Sequence, residues 1–125
     1  MINANKLQKS FGHAFKGLKA IYREEQNFKI HTGIGILVIL LMIIFKVSLI
    51  EAAVLFFAII MVLCLEIMNT IFEKVIDVLK PRFHDLVAII KDLMAAAVLI
   101  AVIGAVIIGL LILYPYFHSL ICNLF

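Results

Sequence analysis

The polar residues of this sequence that are best placed for chemistry follow the apolar run 52–65. Glu66, Asn69, Glu73 and Asp77 are three, four and four residues apart. An α-helix turns about 100° per residue, so this spacing puts all four on one face. Such carboxylates can hold a hard divalent cation or accept a proton, although an acidic stripe on a helix is more often only a solvated face.

The position of Glu66 favours a functional role over simple solvation. It comes directly after the run 52–65, so we expect its carboxylate to lie at or inside a membrane boundary. An ionisable group at that depth is costly, and its default interpretation is functional. It could accept the proton of a hydroxyl group or relay protons across the membrane.

A second carboxylate is unexpected where the sequence puts it. Glu25 falls near the middle of the apolar face that Leu18 and Ile21 define on the first helix. It could form an ion pair with Arg23 or Lys29, or it could face a bound cation or a charge from another helix. We favour the second interpretation, which makes Glu25 a candidate metal ligand.

Lys91 and Asp92 are adjacent and stand immediately before the last apolar run. They can form an interface pair that extends toward water, or Lys91 can neutralise an anionic substrate at the membrane surface. No HExxH motif or His/Cys cluster surrounds the histidines, so we assign no role to His13, His31 or His84.

The composition explains where these residues must act. The 125 residues are 66% hydrophobic and 15% charged, whereas a soluble domain is about half apolar and a quarter charged. The net charge of +3 comes from basic residues beside apolar runs, which suits lipid headgroups better than nucleic acid. None of the common nucleotide-binding motifs, GxxxxGK[ST] or GxGxxG, occurs.

We therefore predict an all-α integral membrane protein with a single domain, 1–125. The expected elements are an amphipathic surface helix over 1–29, membrane helices over 30–46 and 48–65, a cytoplasmic continuation of the second over 66–80, and a third membrane helix over 92–114. A turn at 46–48 joins the first two membrane helices. Pro81 should end the cytoplasmic helix, and Pro115 should end the last one.

The basic residues also predict the orientation. Of the 11 Lys and Arg residues, Lys46 alone lies in the turn between the first two membrane helices. The others precede the first membrane helix or lie between the second and the third. The positive-inside rule then places the N-terminus in the cytoplasm and the C-terminus outside.

Several motifs taken together resemble the small prokaryotic diacylglycerol kinase and undecaprenol kinase family, from Phe15 to Leu110. Residues 15–18 are similar to the N-terminal element of that family, and residues 23–31 resemble its REExNFxIH segment. Residues 66–77 resemble ExxNTxxExxxD, and residues 91–99 resemble KDxxAxAVL. Each motif alone is weak, but their combined spacing is specific.

The resemblance implies a homotrimer in the bacterial inner membrane, with active sites between subunits, that transfers the γ-phosphoryl group of MgATP to a lipid alcohol. At the matching positions, it implies that Glu66 is the catalytic base and that Asn69 positions it. It further implies that Mg²⁺ is held by Glu25 and Glu73, and that the nucleotide is bound with the help of Lys91, Asp77, Lys16 and Asp92.

The resemblance also ranks the substrates. Residues 23–31 are closer to the undecaprenol kinases of Gram-positive bacteria, so undecaprenol is the preferred lipid alcohol and diacylglycerol the alternative. Two hypotheses of other classes are a small proton-coupled transporter with Glu66 as its relay and a structural oligomer whose acidic stripe is only solvated. The expected partners are a lipid alcohol, ATP, the bilayer and further copies of the chain, but no nucleic acid.

Overall fold

The computed structural model describes residues 4–79 and 84–122, and it is helical almost throughout. The helices are α1 (Ala4–Glu24), α2 (Gln26–Phe45), α3 (Leu49–Leu79) and α4 (His84–Cys122). Three segments are long and apolar enough to cross a membrane: Gln26–Phe45, Leu49–Val78 and Leu86–Cys122. The all-α prediction with three apolar helices of membrane-spanning length is thus confirmed for the described residues. The expected helix end at Pro81 and the side chain of His84 lie outside the described part of the chain.

The N-terminal helix ends earlier than the sequence predicts. Glu25 has extended backbone angles (φ −98°, ψ 119°), so it separates α1 from α2, and residues 26–29 belong to α2. The ammonium group of Lys29 donates to the carbonyl oxygen of Arg23 at 3.0 Å, which satisfies an acceptor at the end of α1. The boundary between the first two helices therefore falls at Glu25 and not at residue 29 or 30. The point at which α2 enters the membrane stays a prediction.

The turn between α2 and α3 is held by hydrogen bonds on both sides. Lys46 is left-handed (φ 50°, ψ 47°), and the N–H groups of Lys46 and Val47 donate to carbonyls in the last turn of α2 at 3.3 Å each. At the start of α3, the N–H of Ser48 donates to Glu51 Oε2 at 2.8 Å, and the N–H of Glu51 donates to Ser48 Oγ at 3.3 Å. This reciprocal capping box places the reversal at 46–48, where the sequence predicts it.

Helix α4 is longer at both ends than the predicted membrane helix 92–114. It begins at His84 and runs through Pro115 to Cys122, so the expected stop at Pro115 is wrong. Proline lacks the N–H of a normal helical residue, and its ring crowds the preceding turn. Membrane helices nevertheless tolerate proline where neighbouring helices hold the segment in place.

Side chains of α2 and α3 hold the segment after Pro115. The hydroxyl of Tyr116 donates to Glu51 Oε2 at 2.6 Å. The ring of Phe45 stacks on Tyr116 with centroids 5.9 Å apart and meets Phe117 edge to face at 4.7 Å. These contacts explain why α4 continues beyond its proline.

Helix α3 is central, and one of its faces is buried. The buried residues of this face recur at intervals of three or four: Leu55, Ala58, Val62, Glu66 and Thr70. Most other large apolar side chains of the spanning helices are exposed, as expected for surfaces that meet lipid or other subunits. The apolar stripe of α3 therefore continues into Glu66, which makes this carboxylate part of the helix packing.

Gly35 determines how closely α2 approaches α3. A Cβ atom at Gly35 would lie 2.9 Å from Cγ2 of Ile59, whereas one at Gly33 would meet nothing within 4 Å. Because isoleucine is stiff at χ1, we expect Gly35→Ala to be less stable than Gly33→Ala by about 1–3 kcal/mol. Both variants gain the same helix propensity, so thermal unfolding in one detergent isolates the clash. Equal unfolding midpoints would contradict it.

Candidate active site

Glu66 is a buried carboxylate on α3. Only 3% of its surface is exposed, and Thr70, one turn along the same face, is equally buried at 3%. The hydroxyl of Thr70 donates to the backbone carbonyl of Glu66 at 3.0 Å, so Thr70 satisfies its own donor locally. The carboxylate must find its partners elsewhere.

The side chain that approaches Glu66 from α2 is His31. Nε2 of His31 lies 3.0 Å from Glu66 Oε1, and 20% of the histidine side chain is exposed. The contact is not aligned as a hydrogen bond, and within the described residues Oε1 has no hydrogen-bond partner. A buried acceptor without a donor is costly, so this oxygen marks a place where a ligand or a small side-chain movement would stabilise the site.

Asn69 and Glu73 lie beside Glu66 on α3. The amide Nδ2 of Asn69 donates to Glu73 Oε1 at 3.4 Å, across one helical turn. The expectation was that Asn69 positions Glu66, but in this structure its amide is bonded to Glu73. The reason is geometric, because residues four apart on a helix face each other.

These residues meet in a cleft between α2, α3 and α4. The cleft has a volume of about 370 Å³. Its polar lining consists of Asn27, His31, Glu66, Asn69, Glu73 and Lys91, and its apolar wall comes from α4. The structure thus brings together four of the residues that the sequence singles out: Glu66, Asn69, Glu73 and Lys91.

The other four candidates do not line the cleft as described. Glu25 is half-buried at the break between α1 and α2, while Asp77, Asp92 and Lys16 are exposed. Asp77 shares the acidic stripe with Glu73, but it lies one turn further from the packed part of α3. A single chain therefore assembles only part of the predicted site.

Two cleft residues were missed by sequence reasoning. Asn27 and His31 are four apart in the first turns of α2, and both line the cleft. Polar residues at this spacing at the start of an apolar helix share one face, and that face usually points into the helix bundle. Both residues also stand in the segment 23–31 that resembles REExNFxIH, but no HExxH motif or His/Cys cluster surrounds His31, so the sequence assigns it no role.

A second, apolar cavity adjoins the cleft. Its volume is also about 370 Å³, it is lined by α2, α3 and α4, and it reaches Tyr114 and Phe117. His31 and Val102 line both spaces, so the polar cleft and the apolar cavity meet at these two residues. This arrangement suits an amphiphile that has a polar head and a hydrocarbon chain.

The acidic residues fit a magnesium ion that is shared with a substrate. Among residues 4–79 and 84–122, no three His, Cys, Asp or Glu side chains are placed to hold a metal by themselves. Mg²⁺ commonly binds only one or two carboxylates, together with phosphate oxygens and water. The cleft supplies the Glu73 carboxylate, which the Asn69 amide orients, so its donor set suits a metal that arrives with a phosphate ligand.

An ion pair connects α1 to α3 near the cleft. The ammonium group of Lys74 lies 2.7 Å from Glu24 Oε2, at the end of α1. The hydrogen bond and the positive charge of Lys74 lower the pKa of Glu24, so this carboxylate stays ionised at neutral pH. The pair is exposed, and its role is to orient the helix end rather than to provide much stability.

The fold and the cleft define a multi-pass membrane protein that offers carboxylates, an amide and a lysine beside an apolar cavity, an arrangement suited to chemistry on a lipid. The sequence profile of the family described as prokaryotic diacylglycerol kinase matches residues 12–113. The chain belongs to this family.

Three relatives illustrate the similarity. The chain is 38% identical to a diacylglycerol kinase of Synechocystis sp. over 112 aligned residues. This alignment covers 89% of the chain and 64% of the relative. It is 34% identical over 111 residues to an undecaprenol kinase of Bacillus subtilis, and this alignment covers 89% of the chain and 90% of the relative. It is 32% identical over 109 residues to a diacylglycerol kinase of Escherichia coli, and this alignment covers 87% of the chain and 89% of the relative. Relatives named for two different lipids thus resemble the chain to a similar degree.

Family membership makes the protein a membrane lipid kinase and implies ATP as its phosphoryl donor. The prediction of a lipid kinase from the four motifs is confirmed. The proton-coupled transporter and the purely structural oligomer are not favoured by these similarities.

Proposed function

We propose that the protein transfers the γ-phosphoryl group of MgATP to the hydroxyl of a lipid alcohol bound beside Glu66, with undecaprenol as the acceptor and diacylglycerol as the alternative. One observation carries this proposal. The Glu66 carboxylate is buried with an unpartnered oxygen, and its neighbour His31 lies where the polar cleft meets the apolar cavity. A lipid whose chain occupies the cavity would present its hydroxyl to this carboxylate.

The proposed reaction is a direct transfer. The lipid oxygen bonds to the γ-phosphorus as the bond to the bridging oxygen breaks, and ADP leaves with that oxygen. The proton of the lipid hydroxyl passes to the carboxylate of Glu66. A positioned general base typically contributes a factor of about 10²–10⁴ in rate.

Charge neutralisation is assigned to the other polar residues. A bound Mg²⁺ would offset the negative charge of the phosphates, and we propose Glu73 and Glu25 as the carboxylates that hold it. Glu73 already lines the cleft, and its carboxylate is oriented by the amide of Asn69. Lys91 lines the same cleft, and we propose that it contacts the phosphates of the nucleotide.

We further propose that the site is completed in a homotrimer. Glu25, Asp77, Asp92 and Lys16 lie outside the cleft of one chain, and a neighbouring copy could bring the nucleotide next to them. The exposed apolar faces of the spanning helices give such an assembly the surface it needs. Chemical cross-linking in detergent should produce a ladder that ends at three chains, and a ladder that ends at two would contradict the trimer.

The proposed location is the bacterial inner membrane, with the cleft toward the cytoplasm, where ATP is available. Lys46, in the turn between α2 and α3, is the one Lys or Arg residue from position 30 to position 73, whereas the other ten lie at positions 6–29 and 74–91, in line with the positive-inside rule. Cys122, at the outer end of α4, should then react with a membrane-impermeant maleimide in intact cells carrying Cys64→Ser protein. Labelling only after permeabilisation would show that Cys122 lies in the cytoplasm and that the proposed orientation is wrong.

Helix α1 is proposed to lie on the membrane surface. Four of its large apolar side chains recur at intervals of three or four and are exposed: Leu7, Phe11, Phe15 and Leu18. An apolar stripe on a helix with many lysines is typical of interfacial helices. The ion pair between Glu24 and Lys74 would keep this helix next to the cleft.

The lipid preference rests on residues 23–31, whose pattern resembles that of undecaprenol kinases and includes His31 in the cleft. Purified protein with Mg²⁺ and γ-labelled ATP, given both lipids in the same mixed micelles, should label undecaprenol in preference to diacylglycerol. Preferential labelling of diacylglycerol would make diacylglycerol the preferred acceptor and undecaprenol the alternative. Labelling of neither lipid would contradict the proposed function.

A further inference from the structure

His31 is the residue of α2 that reaches the proposed base. Its Nε2 atom is 3.0 Å from Glu66 Oε1, and this is the one ion-pair contact of Glu66 among the described residues. The contact joins two spanning helices. It therefore depends on how α2 packs against α3, and not on the local geometry of one helix.

The packed face of α2 determines the position of His31. Phe28, His31 and Gly35 follow one another at intervals of three and four residues, and Phe28 and Gly35 are buried. Phe28 anchors the first turn of this face, and Gly35 allows the close approach to Ile59 one turn beyond His31. The imidazole is thus held between two buried positions and directed at α3.

Glu66 needs a partner of this kind. A carboxylate that is 97% buried loses its hydration, and Glu73 adds a second negative group to the same cleft. Removing the partner of a buried charge is strongly unfavourable, because the remaining charge is left without compensation. His31 places a ring nitrogen 3.0 Å from Oε1 from the facing helix, where it can provide a donor.

We propose that His31 is a positioning residue for Glu66. Its Nε2–H group aligns with Oε1 when the lipid binds, and it holds the carboxylate so that the second oxygen faces the lipid hydroxyl. Catalytic hydrogen bonds are often poorly aligned before substrate binds and tighten in the complex, which accounts for the unaligned 3.0 Å contact. This inference rests on the proposed role of Glu66 as the base.

The location of His31 supports the same role. It lines both the polar cleft and the apolar cavity, so a lipid entering from the cavity would pass it before its hydroxyl reached Glu66. Loss of the imidazole should therefore affect the transfer step more than nucleotide binding. Among the described residues, His31 forms no ion pair with Lys91, which we assign to the nucleotide, or with Glu73, which we assign to Mg²⁺.

The test compares His31→Ala with His31→Gln in the lipid kinase assay. His31→Ala should lower kcat about 10–100-fold and leave the KM for ATP unchanged, because an interaction made in the transition state is lost. His31→Gln should recover most of the activity, since its side-chain amide can donate to Oε1 from a similar position. His13→Ala, a histidine exposed on α1, is the control and should behave as the unmodified protein.

A second comparison separates positioning from a general structural effect. In a Glu66→Gln background, adding His31→Ala should cause no further loss, because both changes act through the same carboxylate. Three results would overturn the inference. They are a further tenfold loss in the Glu66→Gln background, normal activity of His31→Ala, and equal impairment of His31→Ala and His31→Gln. Unfolding midpoints of all variants show that folded protein is being compared.

Different results would contradict the proposed function and the role of His31. If the unmodified protein phosphorylates no lipid, or if Glu66→Gln remains fully active, the proposed function is wrong. If the protein is active and Glu66→Gln is not, while His31→Ala is normal, only the role of His31 is wrong.

Discussion

Glu66→Gln is expected to lower the rate of lipid phosphorylation about 10²–10⁴-fold while the protein remains folded. The substitution keeps the shape of the side chain but removes the group that accepts the proton of the lipid hydroxyl. It also removes a negative charge that is almost completely buried, so stability should be unchanged or increased. Transfer of label from γ-labelled ATP to undecaprenol measures the first effect, and thermal unfolding in detergent measures the second.

Glu51→Gln is the matched control, because it makes the same change at the other end of α3. Glu51 accepts hydrogen bonds from the backbone of Ser48 and from the hydroxyl of Tyr116, so its loss should lower the unfolding midpoint. The folded fraction should retain normal turnover. The opposite pattern, with Glu66→Gln active and unstable, would show that Glu66 is structural.

Glu73→Gln is expected to raise the Mg²⁺ concentration needed for half-maximal activity by about tenfold or more. Two opposite charges 4 Å apart interact by about 4 kcal/mol near a protein surface, and about 1.4 kcal/mol already corresponds to a factor of ten. High Mg²⁺ should therefore recover much of the lost activity. Glu66→Gln should recover none, because it lacks the proton acceptor.

The control for Glu73→Gln is Glu24→Gln, an exposed carboxylate bonded to Lys74 at the end of α1. It should leave the Mg²⁺ dependence unchanged. Titration of initial rates with Mg²⁺ at fixed, saturating ATP distinguishes the two variants. If they respond identically, Glu73 has no role in metal binding.

Much of the fold could be predicted from the sequence, because the membrane imposes strong rules on an apolar chain. The charge-free runs predict helices of spanning length, and the S-x-x-E pattern at Ser48 marks the start of α3. The boundaries were less predictable. The break at Glu25 has no glycine or proline nearby, and Pro115 stays helical because Tyr116 and Phe117 pack against other helices.

The site was also predicted in part. The spacing of Glu66, Asn69 and Glu73 is local, and helical geometry converts it directly into a shared face. Lys91 is on another helix, and the motif pattern alone suggested that it belongs to the same site. His31 was missed although it stands in the motif of residues 23–31, since the sequence does not show that it contacts Glu66 on α3.

The sequence by itself determined which segments enter the membrane and which face of α3 carries its acids, because burial in lipid and the period of the helix depend only on the order of residues along the chain. Tertiary structure alone decided that a histidine of α2 meets the carboxylate of Glu66, and that the polar cleft opens into an apolar cavity. The first depends on how closely α2 approaches α3 at Gly35, and the second on how α4 packs beside these two helices. Both are set by side-chain packing between residues far apart in the chain.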